Sequence, residues 1–160
     1  MHWSSGDYET VYPSYHYCVA LAGGVPFVVE TSDLRANMHD VRQSTDPYAA
    51  HTASRNSYAA GLAVMAMRDA RPDDFGEFPL VAEAVDALCS IAAALARAYD
   101  IPLDAAHVMT HAEAAIVDGY FGANGDEERW DIARLRPSPR PLTEDDARAA
   151  GDELRARCRR

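Results

Sequence analysis

The chain has 160 residues, a formal net charge of −10 and 48% hydrophobic content, which fits one globular domain with a sizeable core. So acidic a chain points away from nucleic-acid binding, because few cations are available to displace counterions from a phosphate backbone. The short basic run "RARCRR" near the C-terminus reads as a solvated tail, and every basic residue of the chain is Arg rather than Lys.

In chain order, "SYHYCVALAGGVPFVVE" reads as a β-hairpin, two β-rich runs around Ala22-Gly23-Gly24, because paired glycines supply the positive φ of a tight turn. Residues 32–57 are polar and irregular, a loop long enough to carry function. "AAGLAVMAM" at 59–67 is apolar on both faces and suits a central buried strand. Residues 79–99 predict a helix whose stripe is Val81, Val85, Leu88, Ile91 or Ala92, Leu95 and Tyr99, with Pro79 in its first turn and Asp100 and Pro102 ending it. "AAHVMTH" predicts a short strand ending at His111, and residues 112–135 a second irregular segment. After the stiff spacer "PSPRP", Thr143 with Glu144, Asp145 and Asp146 predicts an N-cap and acidic first turn for a helix to about Cys158. This order predicts an α/β fold, a single mixed central β-sheet flanked by helices.

The cysteines, Cys18, Cys89 and Cys158, are too few and scattered for a disulfide framework, and the first two lie in apolar runs that read as core. No apolar run reaches membrane-spanning length and no secretory signal is visible, so the chain as written is expected in the cytoplasm, reaching a cell wall only by release or export. No membrane contact and no obligate protein partner is expected.

None of the six histidines falls in a short metal motif such as HExxH. Six segments in fixed order carry more: "HWSSG" from His2, "SYHY" at 14–17, "AAHTASRN" at 49–56, "AGLAVMAM" at 60–67, "THAE" at 110–113 and "RWDIARL" at 129–135. Together they resemble the zinc-dependent N-acetylmuramoyl-L-alanine amidases of the amidase-2 type, a family that includes phage lysozymes of the amidase class and the animal peptidoglycan recognition proteins. The resemblance covers residues 2–135. It implies an amidase-2-like catalytic domain over 1–136, followed by a Pro-rich spacer and C-terminal helix at 137–160.

The resemblance implies a Zn²⁺ ion held by His2, His111 and Asp131, with a fourth position left for water. Asp118 and Asp126 compete for the third place; the Arg-x-Asp spacing, similar to the family's Lys-x-Asp, favours Asp131. Tyr15, directly before His16, matches a catalytic Tyr that would orient or deprotonate that water; the bland alternative is a strand aromatic packing on its neighbour. Arg129 stands where the family carries a Lys and would stabilise an oxyanion, though it cannot act as a general acid. Some members instead use a Glu in the central strand, where this chain has Ala63, so it follows the Tyr-using branch. His51 matches a His near the substrate groove, and either binds glycan or stem peptide or makes a loop hydrogen bond. Asn56, beside it, is counted with the substrate-binding residues and also shapes the turn before the strand. Glu113 either fixes an imidazole tautomer or is solvated. Only Met1 precedes His2, which predicts a ligand at a fraying end and weakened zinc affinity.

The activity implied is hydrolysis of the amide between N-acetylmuramic acid and L-alanine, with peptidoglycan or muropeptides as partner. The alternatives are a peptidoglycan-binding module without catalysis and a zinc amidase acting on another small amide.

Overall fold

The computed structural model describes residues 1–160. Its strands are β1 (His2–Trp3), β2 (Tyr17–Ala22), β3 (Val25–Glu30) and β4 (Leu62–Val64), and its helices α1 (Ala82–Ala98), α2 (His111–Asp118) and α3 (Glu144–Cys158). The four strands form one mixed sheet in the order β1-β4-β2-β3. β4 runs parallel to both β1 and β2, while β2 and β3 form the expected hairpin, its ends pairing Ala22 with Val25. The turn is only Gly23-Gly24, with φ of 57° and 80°, the two positive values that a type I′ turn demands.

Alternation along the strands sorts the core onto two faces. Trp3, Val19, Leu21, Leu62 and Val64 join the larger apolar cluster with Val85, Leu88, Cys89 and Ala92 of α1. Cys18, Ala20, Ala63 and Met65 form a smaller cluster on the other face, against which Tyr12 and Tyr15 pack. His2 pairs in register with Ala63, so its side chain emerges on that second face, beside Tyr15.

α1 begins at Ala82, three residues later than Pro79 suggested, with Val81 as an N-cap that provides no side-chain bond. Its buried stripe is Ala84, Val85, Leu88, Cys89, Ala92, Ala93 and Ala96; Tyr99, expected on that stripe, is the C-cap and is exposed. α3 starts as expected: Thr143 and Asp146 close a capping box. It packs on α1 and α2, and its Leu154 and Cys158 complete the larger core cluster. All three cysteines are buried and unpaired by disulfides. No helix is long and apolar enough to cross a membrane.

The predicted strand over 105–111 is not formed. Residues 104–108 are turns and bends, and His111 opens a helix instead of closing a strand. Thr110 is the N-cap; its hydroxyl accepts from Glu113 N while the Glu113 carboxylate accepts from Thr110 N, and Gly119 ends the helix in the left-handed region with φ 80°. This capping box and glycine stop outweigh the apolar alternation of Val108 and Met109. The segment 112–135 is therefore irregular only beyond Asp118. Tyr15, expected within a strand, lies in the bend before β2.

Candidate metal centre

The first turn of α2 joins three distant parts of the chain. A helix N-terminus leaves its first amide N–H groups without intrahelical partners. Here His111 N donates to Met1 O at 2.9 Å, Ala112 N donates to Asp131 O at 3.0 Å, and Glu113 N donates to Thr110 Oγ1 at 3.1 Å. Met1 N also donates to Met109 O at 2.8 Å. Residue 1 is thus tied on both sides to 109–111, so His2 sits on a ladder rather than on the fraying end the sequence suggested. The backbone after Asp131 is strained: Ile132, β-branched and buried, has φ of 58°, a conformation that costs about 1–3 kcal/mol and has to be imposed by its surroundings.

The result is a triangle of ligand atoms. His2 Nδ1 and His111 Nδ1 are 3.1 Å apart, His111 Nδ1 and Asp131 Oδ2 are 3.1 Å apart, and His2 Nδ1 and Asp131 Oδ2 are 3.5 Å apart. A tetrahedral zinc with bonds of roughly 2.0–2.2 Å places its ligand atoms about 3.3–3.6 Å from one another. His2, His111 and Asp131 therefore form a cluster that could hold a metal ion, with one edge at the zinc distance and two a few tenths of an ångström shorter.

Protonation favours the same use, because metal ligands must be proton-free. Burial holds the His2 imidazole well below its ordinary pKa, helped by the nearby Met1 amine and opposed by Asp131. Burial alone would raise the Asp131 carboxyl, but the His111 and His2 imidazoles against it outweigh burial and hold that carboxyl well below the usual carboxylate range.

Around the triangle, the Tyr15 ring lies 5.2 Å from that of His2, and its hydroxyl donates to Trp3 O at 3.4 Å. Burial, with Asp131 nearby, pushes the phenol well above its ordinary pKa, so at neutral pH it is a donor. His51 packs edge-on to His2 at 5.5 Å. Its Nδ1 shares a 2.9 Å hydrogen bond with Thr52 Oγ1, which in turn lies 3.3 Å from His2 Nε2. Asn56 turns its carboxamide oxygen onto the amides of His51 and Thr52, at 3.0 and 2.9 Å, so this oxygen holds the loop that carries them. Arg129 is exposed, and its Nη1 donates to Asp126 O and Glu128 O, both at 2.7 Å, instead of to the triangle.

Asp118 is not in the cluster: it forms a two-point ion pair with Arg55 at 2.5 and 2.8 Å. Asp126 is exposed. Glu113 neither touches an imidazole nor faces solvent. It is buried, capping Thr110 and pairing with Arg155. Sequence reasoning passed over Thr52, the partner of His2, and Tyr120, whose ring meets His111 edge-on at 6.0 Å. Thr52 adjoins His51 in "AAHTASRN", but only the fold brings it to His2. A cleft of about 480 Å³ adjoins the imidazoles; its walls include His2, His51, Thr52, His111, Leu95 and Ile101, but not Tyr15, Arg129 or Asp131.

No family model, curated protein or solved structure matches the chain, so the chemistry of the site rests on its own geometry. That geometry defines a mixed α/β domain with a buried His-His-Asp cluster, of the class that could bind a transition metal through two nitrogens and one oxygen.

Proposed function

We propose that this chain is a zinc-dependent amidase of the amidase-2 type, cleaving the amide between the lactyl group of N-acetylmuramic acid and L-alanine of peptidoglycan. The observation that carries the reading is the His2–His111–Asp131 triangle with its edges of 3.1, 3.1 and 3.5 Å. The order of the sequence segments around it supplies the substrate.

Zinc bound there would supply Lewis acidity, polarising the scissile carbonyl and lowering the pKa of a coordinating water toward about 7. The chain's own residues do the rest. Asp131, His2 and His111 would hold the ion. Tyr15, kept as a phenol beside His2, would turn its hydroxyl from Trp3 O to orient the water or the developing oxyanion. Thr52 accepts from His2 Nε2–H, which leaves Nδ1 unprotonated for the metal. Arg129 would have to leave the carbonyls of Asp126 and Glu128 to bring its charge to an anionic intermediate. His51, at the wall of the cleft, stays neutral, because burial and the neighbouring Met1 amine and His16 lower its pKa to about 3.

The test is digestion of purified cell wall by the metal-loaded protein, with and without a chelator, followed by muropeptide analysis. Free stem peptides with an L-alanine N-terminus, released only without chelator, support the reading; sacculi left uncut by zinc-loaded protein overturn it. A binding module without catalysis is the second reading, favoured by the engagement of Arg129 with its own loop carbonyls. It predicts retention on sacculi with no release of peptide.

A further inference from the structure

The guanidinium of Arg155, on α3, is almost wholly buried, and each of its hydrogen bonds ends near the metal centre or on its own helix. Nη1 donates to Glu113 Oε2 and to Val108 O, both at 2.9 Å. Nη2 donates to Glu113 Oε1 and to Asp152 Oδ1, both at 2.8 Å. The fork on Glu113 is bidentate, the arrangement that fixes orientation as well as distance. Glu113 Oε2 in turn accepts from Thr110 N at 2.8 Å. Arg155 therefore grips the chain on both sides of His111, through Val108 before it and Glu113 after it.

A second residue of α3 makes room for this contact. A Cβ at Gly151 would come within 2.3 Å of the Glu113 carboxylate, so only glycine lets the acid lie against the helix. Stability alone does not call for such a design, because a buried Arg–Glu pair is often no better than an apolar pair of the same volume. What the pair adds is a fixed first turn for α2. His111 is the first residue of that turn, and its backbone N–H and the next one hold the segments that carry His2 and Asp131.

We propose that Arg155 is a positioning residue for the metal centre: acting through Glu113, it sets the first turn of α2 so that His111 Nδ1 stands at ligand distance from His2 Nδ1 and Asp131 Oδ2. The inference rests on the reading of that cluster as a zinc site. It makes the C-terminal helix, which lies outside the motif-bearing segments, part of the site's machinery.

The test uses the full chain, stripped with a chelator and titrated with zinc against a chromophoric competitor, with the visible spectrum of the Co²⁺-substituted protein as a second readout. Arg155→Met is expected to weaken zinc by roughly 10–100-fold, the range typical of residues that orient metal ligands, and to alter the Co²⁺ bands. A purely electrostatic role has the opposite sign: removing a cation and baring Glu113 would tighten zinc. The pair Glu113→Leu with Arg155→Met is expected to recover thermal stability while zinc affinity stays low, which separates positioning from stability. Should Arg155→Met fail to fold, Arg155→Lys carries the same comparison, because it keeps the charge and loses the fork. Folded Arg155 variants with wild-type zinc affinity and unchanged Co²⁺ bands overturn this inference alone. A double variant that regains both stability and zinc affinity also overturns it. A wild-type chain that takes up no zinc overturns the metal reading along with it.

Discussion

His2 Nδ1 and His111 Nδ1 lie 3.1 Å apart although 109 positions separate them in the chain. At that distance the two nitrogens need a proton or a metal cation between them, because facing lone pairs repel. The carboxylate of Asp131, 3.1 Å from one and 3.5 Å from the other, completes a cluster that could hold a metal ion.

One zinc per chain is therefore expected by elemental analysis of protein purified with the metal. Asp131→Ala removes the only anionic ligand and is expected to abolish stoichiometric zinc. Asp118→Ala leaves the triangle intact and is expected to keep it, because that carboxylate is engaged by Arg55. The reverse pattern would sink the assignment.

Thr52 Oγ1 lies 3.3 Å from His2 Nε2. If zinc is held at His2 Nδ1, the proton sits on Nε2 and is donated to Thr52. Thr52→Val keeps the shape and removes the acceptor, so zinc affinity is expected to drop by roughly tenfold or more. An unchanged dissociation constant in competition titration would remove Thr52 from the site.

Tyr15→Phe keeps the ring against His2 and deletes the hydroxyl. Zinc content is expected to stay at wild-type level while peptide release from cell wall falls on the order of 10²-fold or more, the contribution usual for a positioned proton-transfer group. Full activity with zinc bound would reduce Tyr15 to packing.

The elements legible in the sequence are those whose signal is local. Gly23-Gly24 announced the hairpin, the apolar run through Leu62–Val64 a central strand, and Thr143 with its acids the start of α3. The segment before His111 was misread because Val108 and Met109 suggest a strand. The opposing signal, Thr110 three residues before Glu113, is a capping box whose weight shows only when the eight-residue helix behind it forms. The three residues of the cluster were legible only through resemblance. No periodicity connects His2 with Asp131; the helix-terminal amides of His111 and Ala112 do so in space. Arg155 was hidden for the same reason: in "RARCRR" it looks like one more solvated cation, and its burial depends on Glu113 and Gly151.

Three buried or half-buried imidazoles give the metal-free protein a distinctive response to acid. Burial lowers the pKa of His2, His16 and His51, the last to about 3. In the unfolded chain each takes up a proton near 6.5, whereas in the fold each stays neutral. Below 6.5 the unfolded state therefore binds more protons, and stability falls with pH by up to about 1.4 kcal/mol per unit for each group until its folded pKa is reached. For His51 that window runs from 6.5 down to about 3. The exposed carboxylates act later. Arg42 holds Asp40 down to about 2, and Arg55 holds Asp118 below its ordinary value; their contribution is complete above about 4 and is lost only beneath it. In chelator, the melting temperature is expected to decline already between pH 7 and 5, before Asp40 and Asp118 lose their contribution. His51→Gln is expected to make that decline shallower. A melting temperature flat from pH 7 to 5, or a slope that His51→Gln leaves unchanged, would mean that these rings accept protons within the fold.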